Sequence, residues 1–152
     1  MKARYVNPFT DFGFKKIFGE EASKPQLIDF LNCVLTDNQI VDLDFKDKEK
    51  LGFVATDRKA VYDILCETKS GEKIIVELQK AKQNYFKDRT VFYASFPIQE
   101  QAEKGTWDYR LKAVYCVGIL DFKFDEHKHT KGEIFHSVKL KDQNNQVFYD
   151  KL

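Results

Sequence analysis

Nowhere in the 152 residues does an apolar run approach the ~20 residues that a membrane-spanning helix requires. The start of the chain, Met1-Lys-Ala-Arg-Tyr-Val-Asn-Pro8, also lacks the apolar segment of a secretory signal. These two absences argue against membrane association and export, so the expected location is the cytoplasm. Cysteine is scarce as well. Cys33, Cys66 and Cys116 lie far apart, each within an apolar pattern. An odd, dispersed set excludes a disulfide framework or a cysteine zinc site and reads as buried free thiols in a reducing compartment. Charge of one sign is missing too. Lys and Arg number 25 against 24 Asp and Glu, for a net charge of +1. Any phosphate-binding surface must therefore be a local patch. Internal repeats and low-complexity tracts are absent.

Apolar and aromatic side chains are plentiful. The chain is 43% hydrophobic, with 14 Phe, 7 Tyr and one Trp. That suffices for one core, and residues 1–152 read as a single domain. The final stretch, Val147 to Leu152, reads as a strand opening with no cap after it, which suggests the N-terminal piece of a longer protein.

Residues 59–79 organise the rest. Ala60 to Thr68 and Ile74 to Leu78 are β-favouring apolar runs, and Lys69-Ser70-Gly71-Glu72 between them supplies a turn. Asp63 interrupts the first run; Glu77 and Gln79 mark the second. Strand side chains alternate, so Glu77 and Gln79 share a face roughly 7 Å apart. Pairing about the turn brings Asp63 near Glu77. The plain alternative is an edge hairpin with solvent-facing polar groups. Against it, Ile75 lies on the Glu77 face, and an acid among core residues needs a partner or a metal. Two carboxylates that close repel, and a divalent cation relieves the repulsion.

Upstream, Thr10 or Asp11 can cap a short helix that stops at Gly19 and buries Phe14, Ile17 and Phe18. Ser23-Lys24-Pro25-Gln26 has the form of a capping box, opening a helix to about Leu35 with Leu27, Ile28, Leu31, Val34 and Leu35 on its stripe. Ile40 to Phe45 alternates as a half-buried strand. Downstream, Asn84 to about Lys104 reads as a long helix ending at Gly105. Tyr85, Arg89, Phe92, Phe96, Gln99 and Glu103 share a face, and Pro97 implies a kink. Leu111 to Phe122 reads as a strand covered on both faces, and Ile134 to Leu140 as a further strand. The order implies an α/β fold, a mixed sheet with helices on both faces.

The Asp63…Glu77-Leu78-Gln79 pattern, set between an N-terminal helix and a long helix, resembles the core of the PD-(D/E)XK nuclease superfamily. Asn7 to Gly19, Phe30-Leu-Asn32, Tyr62-Asp63-Ile64, Val76-Glu-Leu-Gln79, Phe86 to Tyr93 and Trp107-Asp-Tyr109 together resemble the Rpn-type PD-(D/E)XK nuclease family transposases, recombination-promoting proteins of bacteria. The resemblance implies a restriction-endonuclease-like αβββαβ core and metal-dependent hydrolysis of DNA phosphodiesters. It makes Asp63, Glu77 and Gln79 the catalytic residues, with Asp63 and Glu77 as ligands of Mg²⁺ (or Mn²⁺). DNA is the implied partner, no membrane is involved, and a homodimer is compatible. Gln79 stands where the superfamily has lysine, so it can orient only by hydrogen bonds, and Lys59 or Lys80 could lend the missing charge. A catalytically weak or inactive module that binds nucleic acid or a partner protein is the alternative.

Lys80, Lys82, Lys87 and Arg89 follow directly and are candidates for the DNA backbone, against a reading as a solvated helix start. Arg89 is the strongest, with a structural ion pair to Glu77 or Asp63 as its alternative. His127, His129 and His136 read as an exposed polar loop rather than a zinc site. Asp11 reads as a helix cap, and Trp107 and Tyr109 as core anchors.

Overall fold

The computed structural model describes residues 5–36, 39–50, 60–102, 105, 107–127 and 132–152. Helix α1 (Asp11–Phe18) begins at a threonine cap: Thr10 Oγ1 accepts the Gly13 amide hydrogen at 3.0 Å. The same hydroxyl donates to the Asn7 carbonyl at 2.9 Å, folding the preceding turn onto the helix. Only glycine fits at position 13, where a Cβ would lie 1.9 Å from the Asn7 oxygen.

The expected capping box forms one turn early. Ser23 Oγ accepts the Glu20 amide at 3.3 Å and donates to the Glu20 carbonyl at 3.0 Å, closing a 3₁₀ turn at Glu21–Ser23. Helix α2 (Lys24–Val34) thus has no side-chain cap, and Pro25 sits in its first turn, where an amide would lack a partner anyway. Leu27 and Leu31 are fully buried. Cys33 lies off their stripe and is exposed, which corrects its reading as a buried thiol; Cys66 is buried and Cys116 half-buried, and all three are free.

The strands are β1 (Leu43–Phe45), β2 (Glu49–Lys50), β3 (Ala60–Val61), β4 (Ile64–Thr68) and β5 (Lys73–Gln79); then follow α3 (Phe86–Gln99) and β6 (Val114–Leu120). The main sheet runs β1-β4-β5-β6. Its first three strands are antiparallel, and β6 joins parallel to β5 after the α3 crossover. This is an αβββαβ core, a mixed sheet flanked by helices. One face packs Phe14, Leu27 and Leu31 of α1 and α2 on Leu43, Ile64, Cys66, Ile74 and Val76. The other packs Tyr93 and Phe96 of α3 on Leu65 and Ile75. Among the described residues no helix is long and apolar enough to cross a membrane.

Several expectations are corrected. The run from Ala60 to Thr68 divides at Tyr62-Asp63, because β3 pairs with β2 while β4 pairs with β1 and β5. β6 is an edge strand, half-buried along most of its length. α3 starts at Phe86 and closes at Gln99, well before Gly105. Its apolar residues lie nearly all round, so periodicity misassigned the face: Tyr85 and Phe92 are exposed, while Phe86, Ala94 and Pro97 are buried. Glu103 lies outside the described residues. The run from Ile134 to Leu140 is strand only at its last residue. Ile134 is 95% exposed, and the ladder begins only at β7 (Leu140–Lys141), which pairs with β8 (Val147–Tyr149). Trp107 and Tyr109 stack on one another at 4.9 Å, and Tyr109 is exposed rather than a core anchor.

Pro97 removes the amide that would have bonded the Tyr93 carbonyl one turn back. The buried Tyr62 hydroxyl takes its place, donating to Tyr93 O at 3.1 Å. Burial raises the pKa of that hydroxyl, which keeps it protonated and donating. Tyr62→Phe, which leaves this carbonyl without its partner, is expected to cost about 1–3 kcal/mol in urea denaturation. An unchanged midpoint would refute the compensation.

Candidate active site

The register pairs Ile64 with Val76, so the residue before β4, Asp63, comes to lie beside Glu77. The contact is reciprocal. The Asp63 amide donates to Glu77 Oε1 at 3.1 Å, and the Leu78 amide donates to Asp63 Oδ2 at 2.8 Å. The break between β3 and β4 explains the second bond: β5 runs on past its neighbour, and the carboxylate takes an amide that no strand carbonyl reaches. Each acid is thus fixed through one oxygen. Among the described residues Asp63 Oδ1 has no hydrogen-bond partner, and Glu77 Oε2 faces Arg89 Nη2 at 4.0 Å.

The Glu77 side chain is 15% exposed. Burial, and after it the charge of Asp63, pushes its pKa up to about 7, against the opposing pull of the Asp63 amide and Arg89. Two carboxylates that each accept the other strand's amide, one of them destabilised as an anion, form a hard-oxygen donor set. That set fits an oxygen-seeking divalent cation such as Mg²⁺ or Mn²⁺. Among the described residues no three His, Cys, Asp or Glu side chains converge, so an ion here would complete its shell with water, backbone carbonyl or substrate oxygen.

Gln79 shares the Glu77 face and is 8% exposed. Both ends of its amide are engaged: Nε2 donates to Ala81 O at 2.9 Å, and Oε1 accepts from Arg89 Nη2 at 2.8 Å. Arg89 Nη1 donates to Gln83 Oε1 at 2.7 Å. The guanidinium also lies 5.5 Å from the Phe86 ring centroid and 5.7 Å from that of Tyr93. Tyr85, at φ 61°, turns the connection from β5 into α3 through the left-handed region, one helical turn before Arg89. Gly118 of β6 pairs with Glu77, and a Cβ on it would meet the Phe86 ring at 3.2 Å. The glycine therefore makes room for the ring beside Arg89.

Of the four basic candidates, Arg89 alone contacts this cluster. Lys80 is exposed. Lys82 pairs with Asp125 at 2.5 Å and Lys87 with Glu126, both acids on the 3₁₀ turn after β6. Lys87 also lies 4.9 Å from the Phe124 ring centroid. Asp11 pairs with Lys15 at 2.6 Å on its own helix. Lys59 and His129 lie outside the described residues. Sequence reasoning missed Gln83, Gly118, Phe86 and the Asp125-Glu126 pair. No local pattern marks them, because each acquires its place through the α3 crossover.

A family model described as PD-(D/E)XK nuclease family transposase matches residues 8–152. The chain belongs to this family. No curated protein and no solved structure gives a significant match. For this PD-(D/E)XK family member, the paired acids at the end of β4 and β5 are the natural candidates for the nuclease centre, with Gln79 two residues after the second.

Proposed function

We propose that this domain is a DNA endonuclease serving recombination or transposition, in which Asp63 and Glu77 hold Mg²⁺ or Mn²⁺. The observation that carries it is the reciprocal amide-to-carboxylate lacing of Asp63 and Glu77 at the open end of the β4–β5 hairpin, away from its turn. It presets both acids while leaving one oxygen of each outside those bonds. Preset ligands need no reorganisation when charge develops. A bound divalent ion supplies charge neutralisation at the phosphate and a more acidic water.

The reaction consumes one water. Its oxygen bonds to phosphorus, one P–O ester bond breaks, the attacking water's proton passes to solvent, and the leaving oxygen takes a proton. The chain's own contribution is to fix the two carboxylates, to crowd water from Glu77, and to present basic groups to the strand. Lys80, Lys82, Lys87 and Arg89 are the candidate phosphate contacts, although Lys82 and Lys87 must first exchange Asp125 and Glu126 for DNA. Exposed ion pairs of this kind are worth about 0–1 kcal/mol, so exchange is cheap.

A non-cleaving module that holds nucleic acid or a partner protein is the second reading, favoured by the neutral Gln79 with its amide committed within the protein. Supercoiled plasmid with Mg²⁺ or Mn²⁺ separates the two. Nicking that EDTA abolishes is expected, accompanied by calorimetric uptake of the metal alone. Absence of nicking with either ion overturns the nuclease reading.

A further inference from the structure

We propose that Arg89 is a catalytic residue of this site, the cation that faces the non-bridging oxygens of the scissile phosphate, and that Gln79 is the positioning residue that holds it there. The inference rests on the nuclease reading above and assigns the charge which that reading leaves without a source. Position 79 is neutral, and both ends of its amide are already engaged. Gln79 is therefore poorly placed to orient water or phosphate itself.

What position 79 must do is accept a hydrogen bond, and that decides the residue type. Lysine has three donors and no acceptor. A lysine at 79 would leave the Arg89 hydrogen unmatched and set two cations side by side, whereas the glutamine oxygen takes the guanidinium hydrogen at 2.8 Å. The neutral residue on the strand and the cation on the helix are one arrangement: the positive charge has moved to α3, and glutamine is the residue that receives it.

Arg89 has the geometry for the task. Its Nη2 lies 4.0 Å from Glu77 Oε2, beside a carboxylate that would hold the ion, so the guanidinium would be within reach of a phosphate drawn to that carboxylate's metal. Among the described residues Gln79 and Gln83 engage two of the five N–H donors that a guanidinium carries. The Phe86 and Tyr93 rings flank the group, and its side chain is 30% exposed. A cation held that way reorganises little as charge builds on the phosphate oxygens. Of the four basic candidates Arg89 alone contacts Glu77 and Gln79, whereas Lys82 and Lys87 pair with acids outside the cluster.

The test compares nicking kinetics of the wild type with Arg89→Gln, Arg89→Lys, Gln79→Lys and the exchanged pair Gln79→Lys/Arg89→Gln. Thermal melts establish that each variant folds. Arg89→Gln is expected to lower kcat on the order of 10²–10³-fold, the scale of losing one transition-state donor, with KM for DNA changed by less than about threefold. Gln79→Lys alone is expected to be impaired, because it opposes Arg89 and removes its acceptor. The exchanged pair puts a lysine donor opposite a glutamine acceptor, restoring the polarity in reverse, and is expected to recover at least about tenfold over Arg89→Gln. A purely structural Arg89 would show the same loss and recovery in the melts, so rescue of kcat among variants of equal melting temperature reports the cation itself. Raised KM with unchanged kcat in Arg89→Gln would make Arg89 a backbone grip and overturn the inference, as would an exchanged pair no better than Arg89→Gln. Should Arg89→Gln fail to fold, Arg89→Lys and the exchanged pair carry the same comparison. A wild type that never nicks removes the nuclease reading and this inference together; a nicking wild type matched by Arg89→Gln removes this inference alone.

Discussion

Asp63→Asn is expected to abolish DNA nicking, on the order of 10³-fold or more, with a melting temperature close to wild type. The substitution is nearly isosteric. The Leu78 amide that Asp63 Oδ2 accepts at 2.8 Å can donate equally to an amide oxygen, so the β4–β5 junction keeps its geometry. What disappears is one of the two carboxylates proposed to hold the cation, and a 10³-fold loss corresponds to about 4 kcal/mol of transition-state stabilisation. The same change acts on Glu77. Asp63 is the second cause, after burial, of its elevated pKa, so in Asp63→Asn the Glu77 carboxyl titrates lower while staying above the ordinary carboxylate range. Carboxyl-labelled NMR follows that shift without metal or DNA. Nicking by Asp63→Asn equal to wild type would remove the metal-ligand role, and an unmoved Glu77 titration would contradict the close approach of the two acids.

Glu77→Gln is expected to stabilise the metal-free domain at pH 8 while ending its response to metal. The sign follows from the direction of the shift. In the unfolded chain this carboxyl titrates near 4.5, and in the folded domain near 7. Between those values the folded state holds more protons than the unfolded one, so stability is highest below pH 4.5, falls as pH rises, and levels off above 7. At about 1.4 kcal/mol per tenfold change in proton affinity, the anion costs the folded state about 3 kcal/mol at pH 8. Glutamine keeps the oxygen that accepts the Asp63 amide and carries no charge to desolvate. Urea denaturation in EDTA should therefore show the variant ahead of wild type at pH 8 and level with it near pH 4. With Mn²⁺ the order changes: wild type gains stability above pH 7, where Glu77 is ionised and able to bind, and the variant does not. A variant less stable than wild type at pH 8 in EDTA would show that Glu77 is not held as a strained anion. The site is thus expected to trade stability for metal affinity, as functional sites commonly do.

The sequence was most informative where structure is local. The Thr10 cap, the Leu27–Leu31 stripe and the Gly71 turn follow from neighbours a few residues away, and each formed as expected. The approach of Asp63 to Glu77 was legible for the same reason, because a tight hairpin fixes register by counting from its turn. Ser23 was misread because it can cap in either direction along the chain, and the choice fell to the preceding turn. The Ile134 to Leu140 run was misread as a strand because β-favouring residues need an edge to pair with, and the ladder begins only at Leu140.

Position 79 marks the division. From the sequence, glutamine there is a missing lysine, a loss of charge at the point where phosphate chemistry needs it. In the folded domain it is an acceptor, with Arg89 brought to it across the connection into α3 and Phe86 seated over Gly118 of β6. No spacing rule links 79, 83, 89 and 118, because their proximity depends on a parallel crossover that brings β6 alongside β5. The sequence by itself determined the two carboxylates, the hairpin that joins them and the family they belong to. Only the tertiary structure decided which cation stands beside them, because a hydrogen bond between a strand and a helix is set by how the two pack.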